Sequence, residues 1–135
     1  MQKGYVFLEH TADIMVSAYG STLKDALEQA AYAMFETLGS KKQEGKKSFS
    51  IEESAKTKEE LIVNFLSAVL ADCEINEILP TKIEIEKFTQ RPPKIKARIY
   101  GSEERPKDHI KAVTYHQFKI EKKKNLFYIR IIFDV

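Results

Sequence analysis

The chain has 135 residues, a length that suits a single domain with one hydrophobic core. Hydrophobic residues make up 43% and charged residues 31%, yet the net charge is only +2, because Lys and Glu are interleaved along the chain. This balance argues against a broad cationic face, so direct RNA binding is not the default expectation. No apolar stretch reaches the roughly 18 residues that a membrane span needs, so no membrane association is predicted.

The cysteine content favours a cytoplasmic protein. Cys73 is the only cysteine, which excludes an intramolecular disulfide. It lies at helical spacing among Phe65, Leu66 and Val69, a pattern typical of a buried structural thiol rather than a reactive one. The first four residues lead directly into a strand-like run, so we expect no signal peptide.

The first forty residues predict two strands and a helix. Residues 4–10 begin as an apolar run, and residues 14–19 alternate apolar and polar side chains, as two strands joined by a polar turn would. From Thr22 to Leu38 the apolar residues recur at helical spacing. Thr22 and Asp25 resemble a capping box, and Gly39 suits a C-cap.

The remaining sequence predicts a second helix and further strands. Residues 40–47 form a charged loop, and residues 48–52 a short strand. Thr57 with Glu60 begins a helix whose apolar stripe reaches Cys73. Four more strands are expected over residues 82–88, 94–100, 111–120 and 126–133. Because strands and helices do not alternate regularly, we predict an α+β fold: one domain over residues 1–135, with a mixed or antiparallel β-sheet packed with two α-helices.

Polar residues interrupt the strand-like sequence at residues 9–13, at residues 108–116 and at the chain end. None of these clusters matches a phosphate loop, a nucleophile elbow or a pair of zinc ligands. Asp13 could simply stabilise a turn. His109 and His116 are seven residues apart, so an unbroken strand would place them on opposite faces, where they could not share one ion. Lys111 could be an ordinary solvated lysine at the start of a strand.

Asp134 follows a strongly apolar strand and precedes Val135. One interpretation is a frayed terminus. If the strand stays paired to its end, Asp134 and the terminal carboxylate of Val135 lie close together and repel each other unless a cation joins them. Asp13 as a third carboxylate would complete an oxygen-rich site suited to Ca²⁺ or Mg²⁺. Whether Asp13 and Asp134 meet is left open by the sequence.

Three segments resemble the archease family. Residues 4–14, GYVFLEHTADI, resemble its opening motif, and residues 110–116, IKAVTYH, resemble its second motif. The ending FDV resembles the family's terminal aspartate followed by an aliphatic residue. The resemblance runs from end to end of the chain. One departure is that Gly101 is followed by Ser102, with Glu103 displaced by one from the Gly-Glu pair that the family often has there.

The resemblance implies an accessory protein that is not itself an enzyme. Archeases are cofactors of the RtcB-type RNA ligase, which uses GTP and a metal to guanylylate its own histidine and seals tRNA halves during splicing. The implied role is to promote guanylylation and sustain turnover, so RNA and GTP would be met only through the ligase. A chaperone-like modulator of a tRNA methyltransferase or another RNA-processing enzyme is the alternative. A metal-dependent phosphoesterase is disfavoured because no histidine pair or nucleophile supports it.

The resemblance also assigns residues. The family's metal-binding aspartates fall on Asp13 and Asp134, with a further ligand from the main chain or the terminus at Val135. The expected ion is divalent: Ca²⁺, Mg²⁺ or Mn²⁺. The family's important lysine falls on Lys111. Within the same motifs we expect contributions to partner activation from Glu9, His10 and His116.

Overall fold

The computed structural model describes residues 2–9, 12–40, 45–106 and 108–135. Its elements follow in the order β1 (Gly4–Leu8), β2 (Ile14–Gly20), α1 (Leu23–Thr37), β3 (Lys47–Ser54), α2 (Lys58–Asn76), β4 (Leu79–Gln90), β5 (Pro93–Ser102), β6 (Ala112–Lys123) and β7 (Leu126–Asp134). The predicted α+β class with two helices is confirmed. The strands β4 and β6 extend beyond the predicted bounds. Uncharged residues at both ends of β4 still pair with β5, and the charged residues 121–123 at the end of β6 still pair with β7.

The strands form two antiparallel sheets rather than one. The order in the four-stranded sheet is β1-β2-β7-β6, and in the three-stranded sheet it is β3-β5-β4. The pairing of β2 with β7 joins the two ends of the chain. Strand patterns in a sequence locate strands but do not encode such distant partners, so the division into two sheets was not predictable from periodicity.

Both predicted helix starts are confirmed by their caps. The Thr22 hydroxyl oxygen accepts a hydrogen bond of 3.0 Å from the Asp25 amide, and the Thr57 hydroxyl oxygen accepts one of 3.1 Å from the Glu60 amide. Each bond satisfies an amide that the first turn of a helix otherwise leaves unpaired. Two threonines therefore fix where the chain leaves its strands to enter α1 and α2.

Gly39 ends α1 as expected. Its φ of 91° lies in the left-handed region that glycine adopts without strain. The Gly39 amide donates to the Glu36 carbonyl, and the Ser40 amide donates to the Phe35 carbonyl, both at 3.0 Å. This pattern is a Schellman motif, and it fixes the last turn of α1 beside the site described below.

One hydrophobic core joins both sheets and both helices. α1 packs against β1, β2 and β7 of the four-stranded sheet and against β4 of the three-stranded sheet, whereas α2 packs mainly against β3, β5 and β6. Cys73 is fully buried within this core, and burial raises the pKa of its thiol to about 12, so the thiol stays neutral. The prediction of a buried structural thiol is confirmed. Within the described ranges, neither helix combines the length and apolar character that crossing a membrane requires.

Candidate functional site

The motifs from the two ends of the chain meet at one end of the four-stranded sheet. Ile14, the first residue of β2, pairs with Phe133 near the end of β7. Asp13 precedes Ile14 and Asp134 follows Phe133. Because the two strands are antiparallel, the two aspartates stand opposite each other, one position beyond this pair. Opposed residues of an antiparallel ladder have Cα atoms about 4.5–5.5 Å apart, so this register brings the two aspartates close together.

The second motif arrives at the same end of the sheet through β6. Ala112, the first residue of β6, pairs with Asp134. The Lys111 amide donates a hydrogen bond of 2.6 Å to the Asp134 carbonyl. Phe133 is fully buried, so β7 stays paired and packed to its last residue. The interpretation as a frayed terminus is therefore wrong, and the main chain beside Val135 is held in place.

A cleft of about 510 Å³ opens at this end of the sheet, with Asp13 and Val135 both on its lining. Its apolar lining comes from Phe7, Leu8 and Ile14, and its polar lining from Glu36, Thr37, Asp108 and His109. Asp134, Lys111, Glu9 and His116 do not line it.

The cleft is electronegative. Asp13, Glu36 and Asp108 contribute carboxylates, and the last turn of α1, which points its C-terminal end toward them, has no basic residue. The negative end of a helix dipole and nearby carboxylates both favour a cation. The cleft therefore has the charge that a positively charged ligand requires.

Hydrogen bonds hold the polar lining in place. The Tyr5 hydroxyl donates to the Glu36 carboxylate at 2.9 Å, and burial together with this bond raises the pKa of Tyr5. The Asp108 amide donates to the Leu38 carbonyl at 3.4 Å, which ties the segment before β6 to the end of α1. His109 Nδ1 lies 3.6 Å from a carboxylate oxygen of Glu74. The lining is thus built from segments that the fold fixes.

The two histidines of the second cluster occupy different environments. His109 precedes β6 and lines the cleft, whereas His116 is exposed within β6. No unbroken strand runs through both histidines, because His109 precedes β6 and the register of β6 with β7 shifts between Thr114 and Lys119. Gln117 has a φ of 57° in this bulge, and the His116 amide donates to the Thr114 hydroxyl oxygen at 2.9 Å.

Two further predicted residues, Glu9 and Lys111, lie outside the lining of the cleft. Glu9 follows β1 directly and is exposed, and the Lys111 side chain is exposed at the start of β6. His10 lies outside the described residues. Among the residues that the structure describes, no three His, Cys, Asp or Glu side chains are grouped to hold a metal. The predicted metal set depends instead on two aspartates and an oxygen atom of Val135.

Several cleft residues were not identified from sequence. Asp108 belonged to a recognised polar cluster, but no role was assigned to it. Glu36 and Thr37 lie in the last turn of an ordinary amphipathic helix, where a polar residue normally faces solvent. Only the packing of α1 on the sheet brings them to Asp13, so no local sequence signal could have found them.

The departure from the Gly-Glu pair lies at the end of β5. Gly101 is buried in β5, where a Cβ atom would collide with the Leu79 carbonyl and the Ile78 side chain. A glycine is therefore required by packing. Glu103 lies beyond the strand with its side chain 76% exposed, 3.9 Å from the Lys47 ammonium. Such an exposed ion pair contributes little to stability.

Fold and cleft together define a small α+β protein whose chain ends build an electronegative cleft. The model of the archease protein family matches residues 5–135, so this chain belongs to the archease family. The protein archease of Methanosarcina acetivorans is 36% identical, over 98% of this chain and 97% of the relative. That of Thermococcus kodakarensis is 40% identical, over 84% and 85%.

Solved structures agree with this assignment. The solution structure of Methanobacterium thermoautotrophicum protein 1598 is 27% identical with a TM-score of 0.82, covering 98% of this chain and 99% of that chain. The crystal structure of an archease from Thermotoga maritima, described as a possible chaperone, is 21% identical with a TM-score of 0.71, covering 95% and 94%. At that identity the second similarity shows the fold alone.

Proposed function

We propose that this archease is a metal-binding accessory protein that activates an RtcB-type RNA ligase. In this proposal it promotes GTP-dependent guanylylation and turnover of the ligase in tRNA splicing or RNA repair, without being an enzyme itself. The observation that supports the proposal is the convergence of Asp13, Asp134 and Val135 at one end of the sheet, joined to Lys111 by a main-chain hydrogen bond.

The donor set fits a hard divalent cation. Asp13 and Asp134 would supply carboxylate oxygens, and Val135 either a terminal carboxylate or a main-chain carbonyl. Oxygen ligands of this kind suit Ca²⁺, Mg²⁺ or Mn²⁺. When bound, such an ion offsets negative charge on phosphate groups. The negative end of α1 adds to the attraction of the cleft for the cation.

The surroundings of the cleft suit contact with a protein partner. Phe7, Leu8 and Val135 are 40%, 39% and 39% exposed, so apolar surface is available at the cleft. The Lys111 ammonium has three donors that can meet phosphate oxygens of the ligase or its nucleotide. Glu9, His10 and His116 remain candidates for partner contacts in the same motifs.

A chaperone-like modulator of a tRNA methyltransferase is the second candidate. The exposed apolar side chains of β1 favour it, because binding to another protein alone needs no metal. The Thermotoga maritima relative is likewise described as a possible chaperone. The deciding experiment measures RNA ligation by a cognate RtcB-type ligase at limiting ligase concentration, with and without this protein. Stimulation that Asp13→Asn abolishes supports metal-dependent ligase activation, and ligation that this protein leaves unchanged favours the second candidate.

The protein alone should neither hydrolyse GTP nor cleave RNA. No motif in the sequence supplies a nucleophile or a nucleotide-binding loop, and the cleft is electronegative, which disfavours a nucleotide triphosphate. The measurement is product formation by repurified protein with divalent cation present. Turnover that persists through repurification and disappears in Asp13→Asn would contradict the assignment as a non-enzyme.

The oxygen atom that Val135 offers can be identified by extending the 135-residue chain. Residues added after Val135 convert its carboxylate to a neutral amide carbonyl, whereas residues added before Met1 leave it unchanged. If the carboxylate is a ligand, the C-terminally extended chain binds Ca²⁺ at least about tenfold more weakly, because ligand charge count tunes calcium affinity. Indistinguishable calcium titrations of the two extended chains would leave the main-chain carbonyl as the ligand.

A further inference from the structure

The four-stranded sheet has one side turned away from the core. On β2 and β7, the residues Val16, Ala18, Ile129 and Ile131 are fully buried against the helices. Their neighbours in sequence point to the other side. We call this side the outer face and define it by Ser17, Tyr19, Lys119, Glu121, Lys123, Tyr128 and Arg130. In the described parts of the chain these residues are exposed or half-buried.

Strand alternation concentrates positive charge on the outer face. Lys119, Glu121 and Lys123 are alternate residues of β6, so they share this side of the sheet. Arg130 pairs in register with Lys119 on one neighbour and with Ser17 on the other. The face therefore carries three cationic groups and one carboxylate, although the whole chain has a net charge of only +2.

Glu121 positions two of these cationic groups. Its carboxylate accepts from the Lys119 ammonium and, at 2.9 Å, from the Lys123 ammonium. These two bonds lower the pKa of Glu121 to about 2, so the carboxylate is ionised at any physiological pH. Each ammonium has three donors and uses one on Glu121, which leaves donors for a further anionic group.

Two tyrosines form the adjacent row of the outer face. Tyr19 and Tyr128 pair across the strands, with ring centroids 6.0 Å apart and an angle of 37° between the rings. The Tyr19 hydroxyl lies over Gly4, within 2.8 Å of where a Cβ atom would stand. A glycine there lets the phenol lie along β1. Aromatic surface thus lies one row from the cationic groups, about 6.8 Å away along the strands, since two residues rise about 3.4 Å each.

A shallow cleft of about 390 Å³ joins these groups, lined by Leu8, Ser17, Lys119, Glu121, Lys123, Tyr128 and Arg130. We propose that the outer face binds single-stranded nucleic acid, with phosphates at Lys119, Lys123 and Arg130 and a base stacked on Tyr128. An open sheet carrying tyrosines beside Lys and Arg offers both interactions that single strands need. A phosphoprotein or an anionic lipid surface would use the cationic groups and leave the tyrosine without a partner. The proposal is independent of ligase activation.

The test uses the full chain without any ligase. Fluorescence anisotropy measures binding of a labelled oligouridylate of roughly 12 nucleotides, within the span of about 4–16 that single-strand grooves cover. The double variant Lys119→Gln/Lys123→Gln should bind at least about tenfold more weakly. For each lost phosphate contact, the slope of log binding constant against log salt concentration should become shallower by about 0.7. The control Lys87→Gln/Lys94→Gln removes the same charge from the three-stranded sheet and should bind as the parent does.

A second pair of variants tests the tyrosine. Tyr128→Leu should weaken oligouridylate binding by about tenfold, as loss of one base stack does, and Tyr128→Phe should preserve it. Binding of inorganic polyphosphate should be equal in both. Circular dichroism and thermal unfolding confirm that each variant is folded. The proposal is overturned if the parent binds no oligouridylate at low salt or if the lysine variant matches its control. Equal binding by Tyr128→Leu and Tyr128→Phe, or binding only to phosphatidylserine vesicles, would overturn it as well.

Discussion

Lys111→Ala is expected to fold as the parent does and to lose activation of the ligase. The Lys111 side chain is exposed, and the hydrogen bond to Asp134 comes from the main-chain amide, which alanine retains. The lost ammonium is the group that would meet developing charge on phosphates. Removing one preorganised donor from such a site costs on the order of 10²–10³ in rate. We therefore expect ligation at limiting ligase to fall to the level measured without archease.

The matched control for this variant is Lys94→Ala, which removes an exposed lysine from β5 on the other sheet. It should stimulate the ligase normally. Lys111→Arg keeps the charge and separates a need for charge from a need for the lysine itself. Full stimulation by folded Lys111→Ala would remove this residue from the mechanism. Circular dichroism and the unfolding temperature show whether a loss of activity reflects a loss of fold.

Local signals were sufficient to predict most of the secondary structure. The two threonine caps, the left-handed Gly39 and the change from alternating to helical spacing are short-range features, and each one is confirmed. They are readable because they depend on residues within a few positions of each other. The pairing of β2 with β7 depends on residues at opposite ends of the chain, so the division into two sheets could not be predicted from local sequence patterns.

For the candidate site, too, the sequence identified individual residues but did not predict which of them meet in space. Asp13 and Asp134 were identified as candidates, but their meeting follows only from the register of Ile14 with Phe133. Glu36 lies at the cleft because Gly39 ends α1 at that point and α1 packs against the four-stranded sheet. The cationic outer face was missed for a related reason. Lys119 and Lys123 are interleaved with other residues in sequence and come together only through strand alternation.

Asp13→Asn is expected to weaken divalent cation binding by roughly tenfold to a hundredfold with little effect on stability. Asparagine keeps the shape and the hydrogen-bonding capacity that a turn before β2 would use. What it removes is one of the anionic ligands, and ligand charge count moves calcium affinity over orders of magnitude. Asp13 is only half-buried and lies outside the paired residues of β2, so the cost in free energy of unfolding should stay within about 0.5 kcal/mol.

Isothermal calorimetry with Ca²⁺ and Mg²⁺ measures this effect directly. Asp72→Asn on α2 is the matched control, because it makes the same chemical change at a half-buried aspartate outside the cleft. If Asp13 served only the turn, Asp13→Asn and Asp72→Asn would bind the cations alike, and the proposed metal set would have to be abandoned. If the cation is held as proposed, Asp134→Asn should weaken binding to a similar degree. The double variant should bind the cations more weakly than either single variant, because it removes two of the proposed anionic ligands of one ion.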